Sequence, residues 1–334
     1  MRALITGAAG FIGSHALHYF AHSAPYSELI VIDTLNYAGS LERLAWTRGP
    51  DARRIPIRFL LHDLRAPLPD YAVRQIGEID YVFHFAAETH VDKSLVDPLP
   101  FVQSNVLGTF HLLEFCRVHQ PRLKMFFYVS TDEVYGPAPS GVDHDEQTPH
   151  RPSNPYAATK AAAEDLVYGW EHSMGVPTII TNTMNNFGQR QHPEKYMPKI
   201  MRALLRGEVI TVHGSPDQPG SRKYLHAHDH ADALHFLVTH GRRGERYNVV
   251  GAVEVNNLEL VRAIERLMGK EARIKFVDFH AARPGHDLRY SLDGSKMERM
   301  GWTPPTSWES GLRDTVEWTL KNPDWLGMKL EVRV

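Results

Sequence analysis

One short stretch near the start constrains this chain more than any other. Residues 3–6 read as an apolar strand, and they run directly into Gly7-Ala8-Ala9-Gly10-Phe11-Ile12-Gly13 before a helix-length segment, "SHALHYFAHS". Glycines at three-residue intervals permit a tight turn and let backbone N–H groups approach an anion, while the following helix offers its positive N-terminus. Asp33 ends the next apolar run, residues 29–32, twenty positions after Gly13, where a carboxylate can accept hydrogen bonds from a ribose. Strand, glycines, helix, strand and acid in this order specify a dinucleotide site, and the acid favours NAD over NADP.

The same rhythm continues. Residues 58–61, 81–85, 126–129 and 178–181 are further strand candidates, and "NVLGTFHLLEFCRVH" between two of them has apolar residues at helical spacing. Short apolar strands alternating with helices predict a parallel sheet covered on both faces. The expected fold class is α/β, a Rossmann-type doubly wound parallel sheet with a smaller C-terminal substrate-binding lobe. The lobes divide near residues 1–186 and 187–334, with some later segments interleaving into the first. "VITVHG", "RYNVVG" and "RIKFVDF" are the pieces from which the second would be built.

Composition excludes several classes. A formal net charge of -2 gives no electrostatic footprint for nucleic acid or an anionic membrane, so the expected partner is a small molecule or a second copy. A single cysteine, Cys116, rules out an intramolecular disulfide and a cysteine-based metal cluster; in "HLLEFCRVH" it reads as a packed thiol. No apolar run reaches the ~18 residues of a membrane span, and the expected compartment is the cytoplasm.

Chemistry enters with Ser130-Thr131-Asp132-Glu133-Val134-Tyr135-Gly136, which leaves a buried strand and at once presents a hydroxyl and two adjacent carboxylates. Such residues can simply cap or turn the chain, but ligands on parallel sheets bind at this end of the strands. The Gly-x-x-Gly-x-x-Gly spacing resembles the short-chain dehydrogenase/reductase superfamily, and the chain length its extended branch. That resemblance demands a tyrosine and a lysine four residues apart, and "PSNPYAATKAAAEDLV" supplies Tyr156 and Lys160 on one helix face. An ammonium and an oxidised nicotinamide nearby would favour the phenolate and make Tyr156 a usable base near neutral pH.

Within the extended branch the chain resembles the nucleotide-sugar 4,6-dehydratases, above all those acting on dTDP-glucose. The likeness spans nearly the whole length, through "TGAAGFIGSH", "VIDTLNYAGSLERL", "FAAETHVDKSL", "STDEVYG", "NPYAATKAAAEDLV", "NNFGQRQHPEKYMP", "ARPGHDLRYSLDGSKM" and "GWTPPTSWESGLRDTVEW". It implies NAD-dependent conversion of a nucleotide-linked hexose to a 4-keto-6-deoxy sugar, by oxidation at C4, loss of water across C5 and C6, and return of the hydride to C6. Thr131 would then hydrogen-bond the 4-hydroxyl, with Asp132 the acid, Glu133 the base and Tyr156 and Lys160 the oxidoreductive pair. Phe11 and Ile12 would join Gly7, Gly10 and Gly13 at the pyrophosphate. Asp63 and Leu64 would lie near adenine, Ala86 and Ala87 under the nucleotide, and Ser104 and Asn186 elsewhere on the cofactor. For the sugar nucleotide the resemblance points to Thr89, Asn185, Lys195, Tyr196, Arg222, Asn257, Arg283 and His286, with dTDP-glucose the default substrate. Lys195 and Arg222 have a rationale of their own, since a diphosphate needs cations.

Other readings differ in what they require. An epimerase or decarboxylase on this scaffold usually lacks the adjacent Asp-Glu pair, a dehydratase could take another nucleotide sugar, and an NAD-binding regulatory protein predicts a broken catalytic set. Three segments depart from the dehydratase pattern: "DQPGSRKYLHAHD" around Arg222, "GQRQHPEK", and Ala282 where an acid commonly precedes Arg-Pro-Gly-His. In "HAHDHADA", His226, His228, Asp229 and His230 invite a metal reading, but Asp229 reads better as a helix N-cap and no metal is expected. Relatives pair two helices per subunit, which implies a homodimer through the helices around "NVLGTFHLLEFC" and "AAAEDLVYGWEH".

Overall fold

Apolar strands and the helices between them build the molecule in the order its sequence announces. The structure is a computed structural model and describes residues 1–47, 55–277 and 289–328. Six strands fall where the sequence expects them, with ends shifted by one or two residues: β1 (Arg2–Thr6), β2 (Glu28–Asp33), β3 (Ile57–Leu61), β4 (Tyr81–His84), β5 (Met125–Thr131) and β6 (Thr178–Thr183). Between them lie α1 (Phe11–Ser23), α2 (Leu41–Trp46), α3 (Asp70–Ile76), α4 (Val91–Val96), α5 (Leu99–Phe101), α6 (Gly108–His119) and α7 (Pro155–Met174). Then follow β7 (Asn185–Phe187), α8 (Tyr196–Arg206), β8 (Val209–His213), β9 (Ser221–His226), α9 (Ala227–His240), β10 (Arg246–Val249), β11 (Glu254–Asn256), α10 (Asn257–Met268) and β12 (Arg273–Val277).

The large sheet runs β10-β6-β5-β4-β1-β2-β3, and all its pairings are parallel. Leu17 and Phe20 of α1 pack with Leu234 and Leu237 of α9 over one face, while Leu112, Leu113 and Phe115 of α6 and Val167 of α7 cover the other. Strand order reverses between β1 and β4, which opens a crevice at their carboxyl ends. A third core joins Met197, Ile200 and Leu204 of α8 to Leu260 and Ile264 of α10 and to Leu312 and Val316 of the helix Trp308–Lys321. Two small sheets, β11-β9-β7 and β12-β8, complete this smaller lobe.

Three local details differ from the sequence reading. "RYNVVG" supplies β10, which pairs with β6 at the edge of the large sheet and so leaves the small lobe. Its side chains are mostly buried, and an unpaired β6 edge gives them a partner that local pattern cannot reveal. Asp229 is the third residue of α9, with His226 at the N-cap, and its carboxylate instead accepts the Thr306 N–H at 3.1 Å and the Thr306 hydroxyl at 2.6 Å. The helix beginning at Leu99 passes through a π-helical stretch, Val102–Leu107, before α6. That wider turn brings the Asn105 side chain to the backbone of Glu88 on both sides and to the Thr159 hydroxyl.

Candidate active site

A cavity of about 1390 Å³ opens at the carboxyl ends of β1, β2, β4 and β5 and extends under α8, β8 and β9. This exceeds the ~300–1,000 Å³ of an ordinary small-ligand pocket and leaves room for two large ligands side by side. Every cofactor residue expected from the sequence lines it, and so do all five expected catalytic residues. Of the expected substrate residues, Thr89, Asn185, Lys195, Tyr196 and Arg222 line the cavity. Asn257 does not; it starts α10, and its N–H donates to the Gly220 carbonyl at 2.8 Å. Arg283 and His286 lie outside the described residues.

The glycine turn is built for close approach. Gly7 has φ +72°, and a Cβ there would lie 2.6 Å from the Ala86 nitrogen, while one on Gly13 would collide with the Gly7 carbonyl oxygen. Asp33 holds the turn in shape: its two oxygens accept the N–H groups of Ala9 at 2.9 Å and Leu35 at 2.8 Å. Each oxygen keeps a second lone pair for a ribose hydroxyl. A cradle with no side chain, a carboxylate at the end of β2 and a long cavity fit a dinucleotide whose ribose carries a free 2′-hydroxyl.

The chemical end sits where β5 stops. After Thr131 the chain tightens into a 3₁₀ turn, Asp132–Tyr135, so consecutive side chains fan into the cavity. The Thr131 hydroxyl donates to Asp132 Oδ1 at 3.0 Å, and Asn154 Nδ2 donates to Glu133 Oε2 at 3.0 Å. Asn154 also caps α7, its Oδ1 accepting the Ala157 N–H at 2.8 Å, and Pro155 at the first helical position sets the entry. One asparagine therefore fixes both the carboxylate and the helix that carries Tyr156 and Lys160. Asp132 is 4% exposed, and its Oδ2 has no hydrogen-bond partner. Burial, then the neighbouring Glu133 charge, pushes its carboxyl up to about 7, so near neutral pH Asp132 can both hold and release a proton.

Tyr156 is buried in the same cavity. Its phenol is raised, first by burial and then by the Glu133 carboxylate, with hydrogen bonding to Thr131 working the other way. Lys160 points elsewhere: its ammonium donates to the Val129 carbonyl at 2.8 Å and lies 4.1 Å from the centre of the Tyr128 ring. Burial lowers Lys160 to about 7, and Glu164, one helical turn on, opposes the shift. Glu164 is itself fully buried and held by Arg246 at 2.9 Å, His150 at 3.1 Å and Asn182 at 2.8 Å.

Comparison with known proteins agrees with this geometry. The model of the family described as GDP-mannose 4,6 dehydratase matches residues 4–315. The chain belongs to this family. A dTDP-glucose 4,6-dehydratase of Mycolicibacterium smegmatis is 41% identical over 97% of this chain and 95% of its own length. A trifunctional UDP-glucose 4,6-dehydratase, 3,5-epimerase and reductase of Arabidopsis thaliana is 39% identical over 97% of this chain and 48% of its own length. Among solved structures, the dTDP-glucose 4,6-dehydratase DesIV of Streptomyces venezuelae, with NAD bound, superposes with a TM-score of 0.88 at 37% identity, covering 97% of this chain and 98% of that one.

This family member also carries site residues that its motifs did not announce. Arg43, Tyr37, Glu88, His90 and Glu194 all line the cavity. The Tyr37 hydroxyl donates to Glu194 Oε1 at 3.3 Å, and the Lys93 ammonium lies 3.3 Å from the centre of the Tyr37 ring. Arg43 sits on α2, a helix of 6 residues and too short for periodicity to mark its buried side. Among the described residues no group of three or more His, Cys, Asp or Glu side chains is arranged to hold a metal ion.

Proposed function

We propose that this protein dehydrates a nucleotide-linked hexose to its 4-keto-6-deoxy form in an NAD-dependent reaction, with dTDP-glucose the default substrate. The observation that carries the reading is Asp132: a buried carboxyl pushed up to about 7, with an oxygen that has no hydrogen-bond partner, in the same cavity as Glu133 and the Tyr156–Lys160 pair. An acid and a base side by side are what elimination of water requires.

The protein's own groups divide the work. Thr131 hydrogen-bonds the sugar 4-hydroxyl, and Tyr156 accepts its proton as C4 becomes a ketone. Gly7, Gly10, Gly13 and Asp33 would hold NAD, which would supply the hydride acceptor for C4, the hydride donor for C6, and a cationic ring that would lower the Tyr156 phenol. The ketone acidifies the C5–H, which Glu133 removes, and Asp132 delivers its proton to the departing C6 hydroxyl, so one water leaves. A proton returned to C5 completes the product. Lys195 and Arg222 are the cations suited to the diphosphate.

The base remains the finer question, because dTDP- and UDP-glucose dehydratases resemble this chain to nearly the same degree. The test is mass spectrometry of dTDP-, UDP-, CDP- and GDP-glucose incubated with the protein and NAD. Loss of one water from one of them, without accumulating NADH, is the expected result. Isomerisation with no dehydration would replace the reading by an epimerase.

We also assign a cytoplasmic homodimer. No helix among the described residues is long and apolar enough to cross a membrane. Val102 and Leu107 beside α6, and Tyr168 on α7, are 46%, 40% and 59% exposed, and pairing α6 and α7 with their copies would cover them. Light scattering at twice the chain mass is the expected outcome; a clean monomer would refute it.

A further inference from the structure

Arg43 places a charge in a nearly buried position at the wall of the cavity. It lies on α2, only 2% exposed, and its guanidinium bonds three backbone carbonyls from three separate pieces of chain. Nη1 donates to Ala9 O at 3.2 Å and to Ala38 O at 2.6 Å, while Nε and Nη2 both donate to Arg190 O, at 3.1 and 2.9 Å. Ala9 belongs to the glycine turn and Ala38 to the loop behind Asp33. Arg190 belongs to the segment after β7 that carries Glu194 and Lys195 into the cavity. The guanidinium reaches these carbonyls from three nitrogens spread across a rigid plane, whereas an ammonium offers its three N–H groups from a single atom.

Arg190 is held just as firmly. Its φ of +63° is a left-handed conformation that a non-glycine residue keeps only when its surroundings impose it. Its guanidinium lies between the Trp46 and Trp318 rings, 4.1 and 4.5 Å from their centres. The preceding carbonyl, that of Gln189, is 2.9 Å from His15 Nε2 on α1. Trp318 belongs to the small lobe's helix Trp308–Lys321, and the Trp325 ring lies 5.1 Å from the Arg43 guanidinium. Together with the Tyr37–Glu194 bond, these contacts draw the loop behind Asp33 and the segment after β7 together over the glycine turn.

We propose that Arg43 is a positioning residue that fastens the walls of the dinucleotide site to one another, so that the cofactor does not leave between the two halves of a turnover. The inference rests on the NAD-dependent reading above. A turnover that begins with oxidation at C4 finishes only if the same cofactor molecule is present for reduction at C6. A site that opened in between would give a 4-keto hexose and free NADH.

The test uses R43K, which keeps the charge but loses the fork, R43Q, which loses both, and R190G, which tolerates the left-handed backbone but removes the tryptophan sandwich. Each is loaded with NAD and mixed with excess fluorescent etheno-NAD without sugar nucleotide, after circular dichroism has matched it to wild type. Exchange about tenfold faster than wild type is expected for R43K and R43Q, as the loss of one charge-assisted hydrogen bond would give, and several-fold faster for R190G. With sugar nucleotide present, free NADH per dehydrated product should rise in the same order, a readout that a general loss of stability would not move. Exchange within twofold of wild type in R43K and R43Q overturns the proposal; if neither folds, an unchanged rate in R190G does so. Wild-type protein that binds no NAD would overturn the cofactor reading itself, so the two failures are distinguishable.

Discussion

Replacing Asp132 by Asn should make this protein more stable and catalytically poor, and the gain should depend on pH in a calculable way. The folded carboxyl titrates at about 7, whereas an unfolded aspartate titrates near 3.9. Between these values the folded state keeps a proton that the unfolded state has released, so raising the pH favours unfolding by about 1.4 kcal/mol per unit. The penalty is absent below pH ~4, grows through the interval and is complete above about 7, where it reaches roughly 4 kcal/mol. Asn carries no such penalty and can still accept the Thr131 hydroxyl bond through its own oxygen. For 334 residues, an unfolding entropy of ~2.1 cal/mol/K per residue converts 4 kcal/mol to roughly 6 °C in Tm. The assay is thermal unfolding of wild type and D132N from pH 4.5 to 8. A Tm difference that widens as pH rises and levels off above pH 7 is expected. A difference that stays flat would refute the assignment of Asp132 as the protonated acid.

Other outcomes follow from the same coordinates. E133Q keeps an oxygen for Asn154 but cannot remove the C5 proton, so product formation should fall by at least ~100-fold while absorbance at 340 nm rises with substrate and persists. His84, His226 and His230 are buried and neutral, lowered by burial to about 3, 4 and 3, so the unfolded chain alone takes up protons below pH ~6.5. These three alone should lower stability by about 4 kcal/mol between pH 7.5 and 5.5, and the buried His15 adds to the fall, best read by urea unfolding in the D132N background, where the opposing carboxyl is gone. G13A would press a methyl group against the Gly7 carbonyl; NAD binding by titration calorimetry should be lost, with destabilisation of about 1–3 kcal/mol or more.

Much of this was legible because it is local. The glycine turn, Asp33 and the strands up to β6 are each specified by neighbours in sequence, and the Tyr156–Lys160 pair needs only a helix to share a face. What escaped depends on distant partners. "RYNVVG" reads as any buried strand, and only the presence of β6 decides which sheet it joins. Asp229 has the residue type of a cap, but Thr306, 77 positions away, captures its carboxylate. The Tyr156 phenol follows burial first and the Glu133 charge second, and the sequence could not show that Lys160 donates to the Val129 carbonyl. Arg43 is the extreme case, since its three carbonyl partners come from segments up to 147 residues away.

The position of β10 also governs how the chain can be made. β6 is buried along its whole length, and the strand that pairs with it arrives only after α8, β8, β9 and α9 have been synthesised. A nascent chain ending near residue 186 would present β6 as an unpaired edge, the kind of surface that recruits other chains. The large sheet is therefore not continuous in sequence, because its last strand follows elements that pack outside it. Expression of the first lobe alone should give aggregates, and any split or fusion of this protein must keep residues 178–249 on one piece.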